Sequence, residues 1–167
     1  MYLPESMALA TATPDGRPSV RQVLLKAHDE RGFVFYTNYD SQKGEEIAEN
    51  PRASLAIHWP ILQRQVRIDG KVAKLSREMA EADWKARRRA NQAASAALRQ
   101  SSIIKRRSDL VEKIDQIKHH FRDRPIPCPD TWGGYCLIPE KMEFWEGRIN
   151  WIHLRERFVR DNGAWHR

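Results

Sequence analysis

Residues 76–121 contain no glycine or proline, although the chain has eight glycines and nine prolines elsewhere. Both residue types disfavour helix interiors, so their absence among many good helix formers predicts a helical segment. Near its end, apolar residues recur at the spacing of one helical face, at Leu110, Ile114, Ile117 and Phe121. The sequence therefore predicts a helical insertion over about residues 76–122.

The residues before this insertion predict β-structure. Short apolar or alternating runs, separated by turn residues, predict five strands at 7–13, 19–27, 32–37, 53–59 and 63–75. The pair Asp15 and Gly16 favours a hairpin between the first two strands, and the first three strands could form a meander. Between the third and fourth strands, Ser41 is a candidate N-cap for a helix over 41–48, which Pro51 would end.

After the insertion, the proline-rich stretch 124–129 predicts a stiff extended connector. Strands are expected again at 135–138, 142–145 and 158–160. Strands at both ends of the chain would close around one core, so we expect a single α+β domain over residues 1–167, with a barrel or sandwich of strands.

Composition excludes several classes of protein. No apolar run approaches the roughly 20 residues that cross a bilayer, and the two cysteines, Cys128 and Cys136, do not form a disulfide framework. We therefore expect a soluble cytoplasmic protein without a membrane partner. No metal site is predicted, because adjacent His119 and His120 on a helix point in different directions.

The formal net charge of +7 favours anionic ligands. Basic runs at 85–89 and 105–107 raise the alternative of nucleic-acid binding through phosphate contacts. No nucleic-acid-binding motif accompanies them, and arginine and lysine on helices are usually solvated. A nucleic-acid partner is therefore not expected. Glycine-rich dinucleotide and phosphate loops and the serine nucleophile elbow are also absent from the sequence.

Short motifs spread over nearly the whole chain resemble those of the pyridoxamine 5'-phosphate oxidase family in order and near-spacing. Each motif alone is weak, but the set is specific. The motifs are 21–26 (RQVLLK), 35–38 (FYTN), 41–43 (SQK), 50–55 (NPRASL), 64–66 (RQV), 100–101 (QS), 132–135 (WGGY) and 143–147 (EFWEG).

This resemblance implies an antiparallel, Greek-key-like FMN-binding split β-barrel, with FMN at the interface of a homodimer. It implies oxidation of a phosphorylated small molecule, pyridoxine or pyridoxamine 5'-phosphate, to pyridoxal 5'-phosphate. The exocyclic carbon would give a hydride to FMN, and O2 would accept the electrons to give H2O2. The family pattern also includes a segment before the first strand and a closing Arg-Leu-x-Pro, which lie outside this sequence.

The resemblance assigns FMN contacts residue by residue. Arg21 and Lys43 would hold the phosphate, assisted by backbone N–H groups at the helix start. Gln42 stands where the family has a second basic residue, which weakens this clamp. Trp145 and Arg155 would reach the flavin of the partner subunit, with core packing as the alternative for Trp145. The full implied set is Arg21, Gln22, Val23, Leu24, Leu25, Lys26, Tyr36, Thr37, Gln42, Lys43, Gln65, Gln100, Ser101, Trp145 and Arg155.

The substrate positions depart further from the family pattern. Lys26, Arg87 and His153 match it, and His153 and Arg87 are the candidate catalytic residues. The other implied substrate contacts are substitutions: Asp83 for tyrosine, Asn91 for serine and Trp151 for arginine. A carboxylate about 5 Å from a substrate phosphate would cost roughly 3 kcal/mol per unit charge at an effective dielectric constant near 20.

Two alternatives to a pyridoxine 5'-phosphate oxidase remain open from the sequence. The first is an FMN oxidase of the same fold that acts on another aromatic metabolite, as the related phenazine-pathway oxidases do. The second is a flavin- or nucleic-acid-binding protein without catalysis.

Overall fold

The computed structural model describes residues 3–97 and 100–167. Within these residues the chain forms an α+β fold, as predicted. The strands are β1 (Ser6–Ala12), β2 (Pro18–Leu24), β3 (Ala27–Asp29), β4 (Gly32–Asn38), β5 (Arg52–Trp59), β6 (Arg64–Lys74), β7 (Trp132–Glu146), β8 (Leu154–Asp161) and β9 (Ala164–His166). The helices are α1 (Gln42–Glu49), α2 (Arg77–Ala86), α3 (Arg89–Ala97) and α4 (Arg107–His120). In the described residues, no helix is long and apolar enough to cross a membrane.

The strands form one sheet with the order β2-β1-β5-β6-β7-β4-β3, and β8 and β9 extend it from β7. The first hairpin, between β1 and β2, is confirmed: Ala12 lies opposite Pro18 in an antiparallel register. Its turn is closed by a hydrogen bond of 2.9 Å from the Gly16 N–H to the Thr13 carbonyl. Gly16 has φ +84°, a conformation that glycine adopts at no steric cost.

The predicted meander of the first three strands is wrong. The stretch expected as one strand over 19–27 is divided between β2, which pairs with β1, and β3, which pairs with β4 at the other end of the strand order. The chain changes partner between two adjacent residues: the Leu25 N–H donates to Glu5, and the Lys26 N–H donates to Val34, each at 2.9 Å. Neither residue is a turn former, so the sequence carries no sign of the change.

The C-terminal strands are longer than predicted. The expected strands 135–138 and 142–145 are parts of one continuous strand, β7. After β8, the chain reverses through Asn162 and Gly163, both with positive φ, into β9. The sequence analysis did not predict β9, although an Asn-Gly pair is a strong hairpin signal.

The chain divides into two compact units. The first, called here the barrel unit, comprises residues up to Phe35, Glu46–Ala73 and Tyr135–Arg167. Its core is apolar and fully enclosed, because alternate residues of β1 and its neighbours point inward. The most deeply buried side chains are Met7, Leu9, Phe35, Leu55, Ile68, Tyr135 and Leu137.

The second unit, called here the helical unit, comprises Tyr36–Glu45 and Lys74–Gly134. Its core consists of Trp84, Ala93, Ile126 and Trp132. The indole rings of Trp84 and Trp132 lie 5.7 Å apart. The predicted apolar face of α4 is confirmed, since Ile114, Ile117 and Phe121 pack against this core.

The proline-rich connector is held by side chains of α2. The Trp84 indole N–H donates to the Ile126 carbonyl at 2.8 Å. The Arg77 guanidinium donates to the carbonyls of Cys128, at 2.7 Å, and Pro129, at 2.9 Å. An extended segment without a strand partner needs such donors, because its carbonyl groups have no ladder to pair with.

Replacing Trp84 by Phe should lower the free energy of unfolding by about 2 kcal/mol, because the Ile126 carbonyl loses its buried donor. Urea denaturation monitored by circular dichroism measures this change. Trp165→Phe, in the more exposed strand β9, serves as the matched control and should change the free energy of unfolding little. Equal losses in the two variants would contradict the anchoring role of Trp84.

Candidate functional site

Helix α1 begins as predicted at Ser41. The Ser41 side chain accepts from the Gly44 N–H at 3.4 Å, and the Ser41 carbonyl accepts from the Glu45 N–H at 2.9 Å. The same hydroxyl donates to the Asn38 carbonyl at 2.7 Å, which fixes its position in the helical unit. Ser41 is completely buried. The Ser41 hydroxyl therefore ties the first turn of α1 to the end of β4.

Lys43 is buried beside this helix start, with 5% of its surface exposed. Its ammonium group donates to hydroxyls of Thr37 and Ser41, at 3.1 and 3.0 Å, and to the Gln100 side-chain oxygen at 3.1 Å. The Thr37 hydroxyl also lies 3.0 Å from that oxygen. Three residues predicted to contact FMN, Thr37, Lys43 and Gln100, are thus brought together. We call them, with Ser41, the Lys43 cluster.

Two further predicted FMN residues adjoin the Lys43 cluster. The backbone N–H of Gln42 donates to the Ser101 hydroxyl at 3.3 Å. Ser101 has φ +69°, a left-handed conformation that is uncommon for a residue other than glycine. The segment at 100–101 is thereby tied to the first turn of α1.

Arg21 lies in the barrel unit, on β2, and forms an ion pair with Glu46 at 3.1 Å. Its guanidinium also donates to the hydroxyls of Ser19, at 2.5 Å, and Thr11. Glu46 is 5% exposed and accepts hydrogen bonds from both of these hydroxyls. The ion pair fixes the guanidinium and offsets part of its charge. The sequence analysis did not identify Glu46, because an acid in an exposed-looking helix carries no sign of such a partner.

The other residues of the motif at 21–26 differ in exposure. Gln22 is exposed and accepts from the Ser6 hydroxyl at 3.1 Å. Lys26 is exposed as well. The apolar residues between them, Val23, Leu24 and Leu25, are half-buried. They line the edge of the barrel unit and are not part of its fully enclosed core, since β2 is the first strand of the sheet order.

An aromatic cluster forms where β7 and β8 meet in the barrel unit. The ring centroid of His153 lies 4.9 Å from that of Trp145 and 5.7 Å from that of Trp151. The His153 Nδ1 atom accepts from the Arg148 backbone N–H at 3.2 Å. A neutral His153 therefore carries its proton on Nε2, which can donate to a ligand.

Trp151 projects from a turn with unusual backbone geometry. Asn150 and Trp151 have φ +63° and +62°, and Trp151 is 87% exposed. Consecutive left-handed residues other than glycine cost free energy, and such strain is concentrated at functional sites. Trp145 is only half-buried, so core packing alone does not account for it.

Strand pairing positions two further residues of the barrel unit that are predicted to contact FMN, Arg155 and Gln65. Arg155 lies opposite Trp145 in the register of β7 and β8, and its guanidinium donates to Glu143 at 2.8 Å. Gln65 lies opposite His58 on β6 and is half-buried.

Asp83 on α2 and Arg87, the residue that follows this helix, face each other in the helical unit, with 4.0 Å between the Asp83 Oδ2 and Arg87 Nη1 atoms. The Arg87 guanidinium stacks on Trp132, 4.2 Å from the ring centroid, and donates to the Ser95 hydroxyl at 3.3 Å. Burial lowers the pKa of Arg87, while the charge of Asp83 acts in the opposite direction. Arg87 thus departs from the expectation of a solvated basic face, whereas Lys85, Arg88 and Arg89 are exposed as expected.

The same group contains buried polar atoms without a hydrogen-bond partner in the described residues. They are Asp83 Oδ2, Arg87 Nε and Trp132 Nε1. Tyr36 lies nearby in the helical unit, and its pKa is raised by burial and by the charge of Asp83. Asn91, the third predicted substrate residue on this segment, is exposed in the first turn of α3. Sequence reasoning did not identify Ser95 or the contact of Trp132 with Arg87.

Comparisons with known proteins agree with these features. Residues 3–121 match the family model described as pyridoxamine 5'-phosphate oxidase, and residues 132–167 match the pyridoxine 5'-phosphate oxidase C-terminal dimerisation region. The chain is 47% identical over its whole length to a pyridoxine/pyridoxamine 5'-phosphate oxidase of Rubrobacter xylanophilus, covering 77% of that protein. It is also 47% identical to one of Psychromonas ingrahamii, with 95% of this chain and 72% of that protein covered.

Solved structures support the fold. PhzG from Burkholderia lata 383, in complex with tetrahydrophenazine-1-carboxylic acid, is 33% identical with a TM-score of 0.93, covering 98% of this chain and 80% of that one. An FMN-binding protein of Nostoc punctiforme is 20% identical with a TM-score of 0.79, covering 98% of this chain and 86% of that one, and shows the fold alone. The predicted split β-barrel with a helical insertion is confirmed. Matched by family models over most of its length, this chain belongs to the pyridoxamine 5'-phosphate oxidase family of FMN-dependent oxidoreductases.

Proposed function

We propose that this chain binds FMN and oxidises pyridoxine or pyridoxamine 5'-phosphate to pyridoxal 5'-phosphate, with O2 as the electron acceptor and H2O2 as the second product. The observation that carries the proposal is the Lys43 cluster. The cluster brings the buried positive charge of Lys43 to the start of α1, and both the ammonium charge and the positive end of the helix dipole favour the phosphate of FMN. The relatives at 47% identity support the choice of substrate.

FMN would be held at its phosphate by Lys43 and, at its polar edges, by Gln100, Ser101 and Gln65. When bound, FMN supplies the chemistry by accepting a hydride and passing electrons to O2. Arg21 is a second phosphate contact in this proposal. Its ion pair with Glu46 keeps the guanidinium in one orientation, so less freedom is lost when an anion binds.

The chain's own residues would act mainly by orientation. His153 presents an Nε2 proton, because Arg148 donates to Nδ1, and this proton can be donated to a polar atom of the substrate. Arg87 offers a guanidinium fixed by Trp132 and Ser95, which suits an anionic substrate group. Lys26, Asn91 and Trp151 complete the proposed substrate contacts. Correct placement of the reacting carbon is the main contribution of such groups to rate.

A homodimer is part of the proposal. Residues 132–167 match a dimerisation region, and this segment carries the exposed aromatic and aliphatic residues Trp151, Ile152 and Leu154. A second copy of the chain would cover these side chains. In this arrangement Trp145 and Arg155 contact the flavin of the partner subunit.

A second candidate function is oxidation of a different aromatic metabolite. Asp83 beside Arg87 favours it, because a carboxylate next to the arginine weakens binding of a phosphate dianion. The structural neighbour PhzG is bound to an aromatic carboxylic acid, which carries less charge than a phosphate ester. This candidate shares the FMN site and the dimer with the first.

The purified protein should be yellow, with the absorbance bands of a bound flavin. Anaerobic addition of pyridoxine 5'-phosphate should bleach the visible absorbance band of the oxidised flavin. Admission of air should restore this band, with formation of H2O2. A colourless protein that does not take up added FMN would exclude both candidate functions. A flavin that is bleached by an aromatic acid and not by pyridoxine 5'-phosphate would select the second candidate.

Lys43→Met should weaken FMN binding by about 10- to 100-fold, because a charge-assisted hydrogen bond to a phosphate contributes about 1.5–3 kcal/mol. Fluorescence titration of the apoprotein with FMN measures the dissociation constant. Lys118→Met, at an exposed position in the last turn of α4 where Lys118 pairs with Asp115, removes the same charge from a residue outside the proposed contacts and is the control. Equal affinities in Lys43→Met and the unsubstituted protein would refute the assignment of Lys43.

A further inference from the structure

The side chains around Arg87 form a small polar group that is largely enclosed. The Arg87 and Asp83 side chains are 20% and 15% exposed, respectively. Trp132, against which the guanidinium stacks, is 7% exposed. A guanidinium in this position has little water around it, so its interactions with nearby charges are stronger than at the surface.

The end of α2 keeps the carboxylate close to the guanidinium. Asp83 lies in the last turn of α2, and Arg87 is the C-cap residue that follows the helix with an extended backbone, which leaves its guanidinium 4.0 Å from the Asp83 carboxylate. Arg87 is further restrained by its hydrogen bond to Ser95 on α3. An anion that reaches the Arg87 guanidinium therefore also meets the charge of Asp83.

We propose that Asp83 is a specificity-determining residue, which lowers the preference of the Arg87 site for a doubly charged phosphate and favours a hydroxyl or singly charged oxygen group. The proposal rests on the proposed function, in which Arg87 contacts the substrate. Asp83 acts through its charge: the carboxylate offsets the positive charge of the Arg87 guanidinium and repels an anionic ligand.

The buried atoms without partners agree with this class of ligand group. Arg87 Nε and Trp132 Nε1 are donors, whereas Asp83 Oδ2 is an acceptor. A hydroxyl or a protonated oxyacid can accept from the donors and donate to the carboxylate. A phosphate dianion has no proton to donate, so it would leave Asp83 without a partner.

The test compares two ligands that share a ring and differ in the phosphate, pyridoxal 5'-phosphate and pyridoxal. Their dissociation constants are measured by equilibrium dialysis on the purified full chain, with its flavin content recorded. Asp83→Asn keeps the shape of the side chain and removes its charge. We expect it to tighten binding of pyridoxal 5'-phosphate by about tenfold and to change binding of pyridoxal less than about twofold.

Two further variants test whether the change in binding depends on the Asp83–Arg87 pair or only on the net charge of the helix. Glu81→Gln removes the same charge from the same helix, where Glu81 pairs with Arg77 and not with Arg87, and it should leave the ratio of the two constants unchanged. Adding Arg87→Gln to Asp83→Asn should abolish the tighter binding of pyridoxal 5'-phosphate, because this gain in affinity depends on a guanidinium without a neighbouring carboxylate. Thermal melting confirms that each variant is folded, and Asp83→Ser replaces Asp83→Asn if the latter is not.

The proposal would be overturned if Asp83→Asn left the ratio of the two dissociation constants unchanged, or if Glu81→Gln shifted that ratio equally. A gain that persists without Arg87 would overturn it as well. Because binding is measured without turnover, these outcomes are independent of whether pyridoxine 5'-phosphate is oxidised. Failure of the proposed function would appear separately, as a protein that contains no flavin and binds none.

Discussion

The hydrogen bond from Trp84 to the Ile126 carbonyl is the contact on which the arrangement of the helical unit depends. It joins the buried face of α2 to the proline-rich connector, which leads directly into β7. Trp84 also packs on Trp132, the first residue of that strand. Asp83 precedes Trp84 on α2 and Arg87 directly follows the helix, so this contact helps to position both charges relative to Trp132.

The two cations assigned to the flavin phosphate are supported in different ways. Lys43 is surrounded by hydroxyl and amide oxygens of Thr37, Ser41 and Gln100. Arg21 has a carboxylate, Glu46, as its partner. A buried ion pair has already used part of its attraction for a further anion. We infer that Arg21 contributes mainly to the geometry of the proposed phosphate site.

Much of the secondary structure followed from local sequence. The helical insertion, the N-cap at Ser41 and the apolar face of α4 were predicted because each depends on residues close together in the chain. The change of strand partner after Leu25 was not predicted, because backbone pairing there is decided by Glu5 and Val34, which lie outside the stretch that reads as one strand. Strand pairing depends on non-local contacts and has no local code.

For the candidate site as well, some residues could be predicted from the sequence and others could not. Motifs in order assigned Thr37, Lys43 and Gln100, and the structure brings these three residues together. Glu46 and Ser95 were missed because their importance comes from their partners, Arg21 and Arg87, and not from a motif of their own. Residues that support a functional group through a hydrogen bond are recognised only when the neighbouring element is known.

Two substitutions at the proposed substrate positions change the local charge in the same sense. Asp83 adds a negative charge beside Arg87, and Trp151 supplies an aromatic ring where the family pattern has a cation. Both changes reduce the attraction for a dianion, and Trp151 increases the area available for stacking on a planar ring. The proposed flavin contacts show one comparable loss, at Gln42. In the proposed site, substrate recognition would therefore depend less on charge and more on ring stacking and hydrogen bonding.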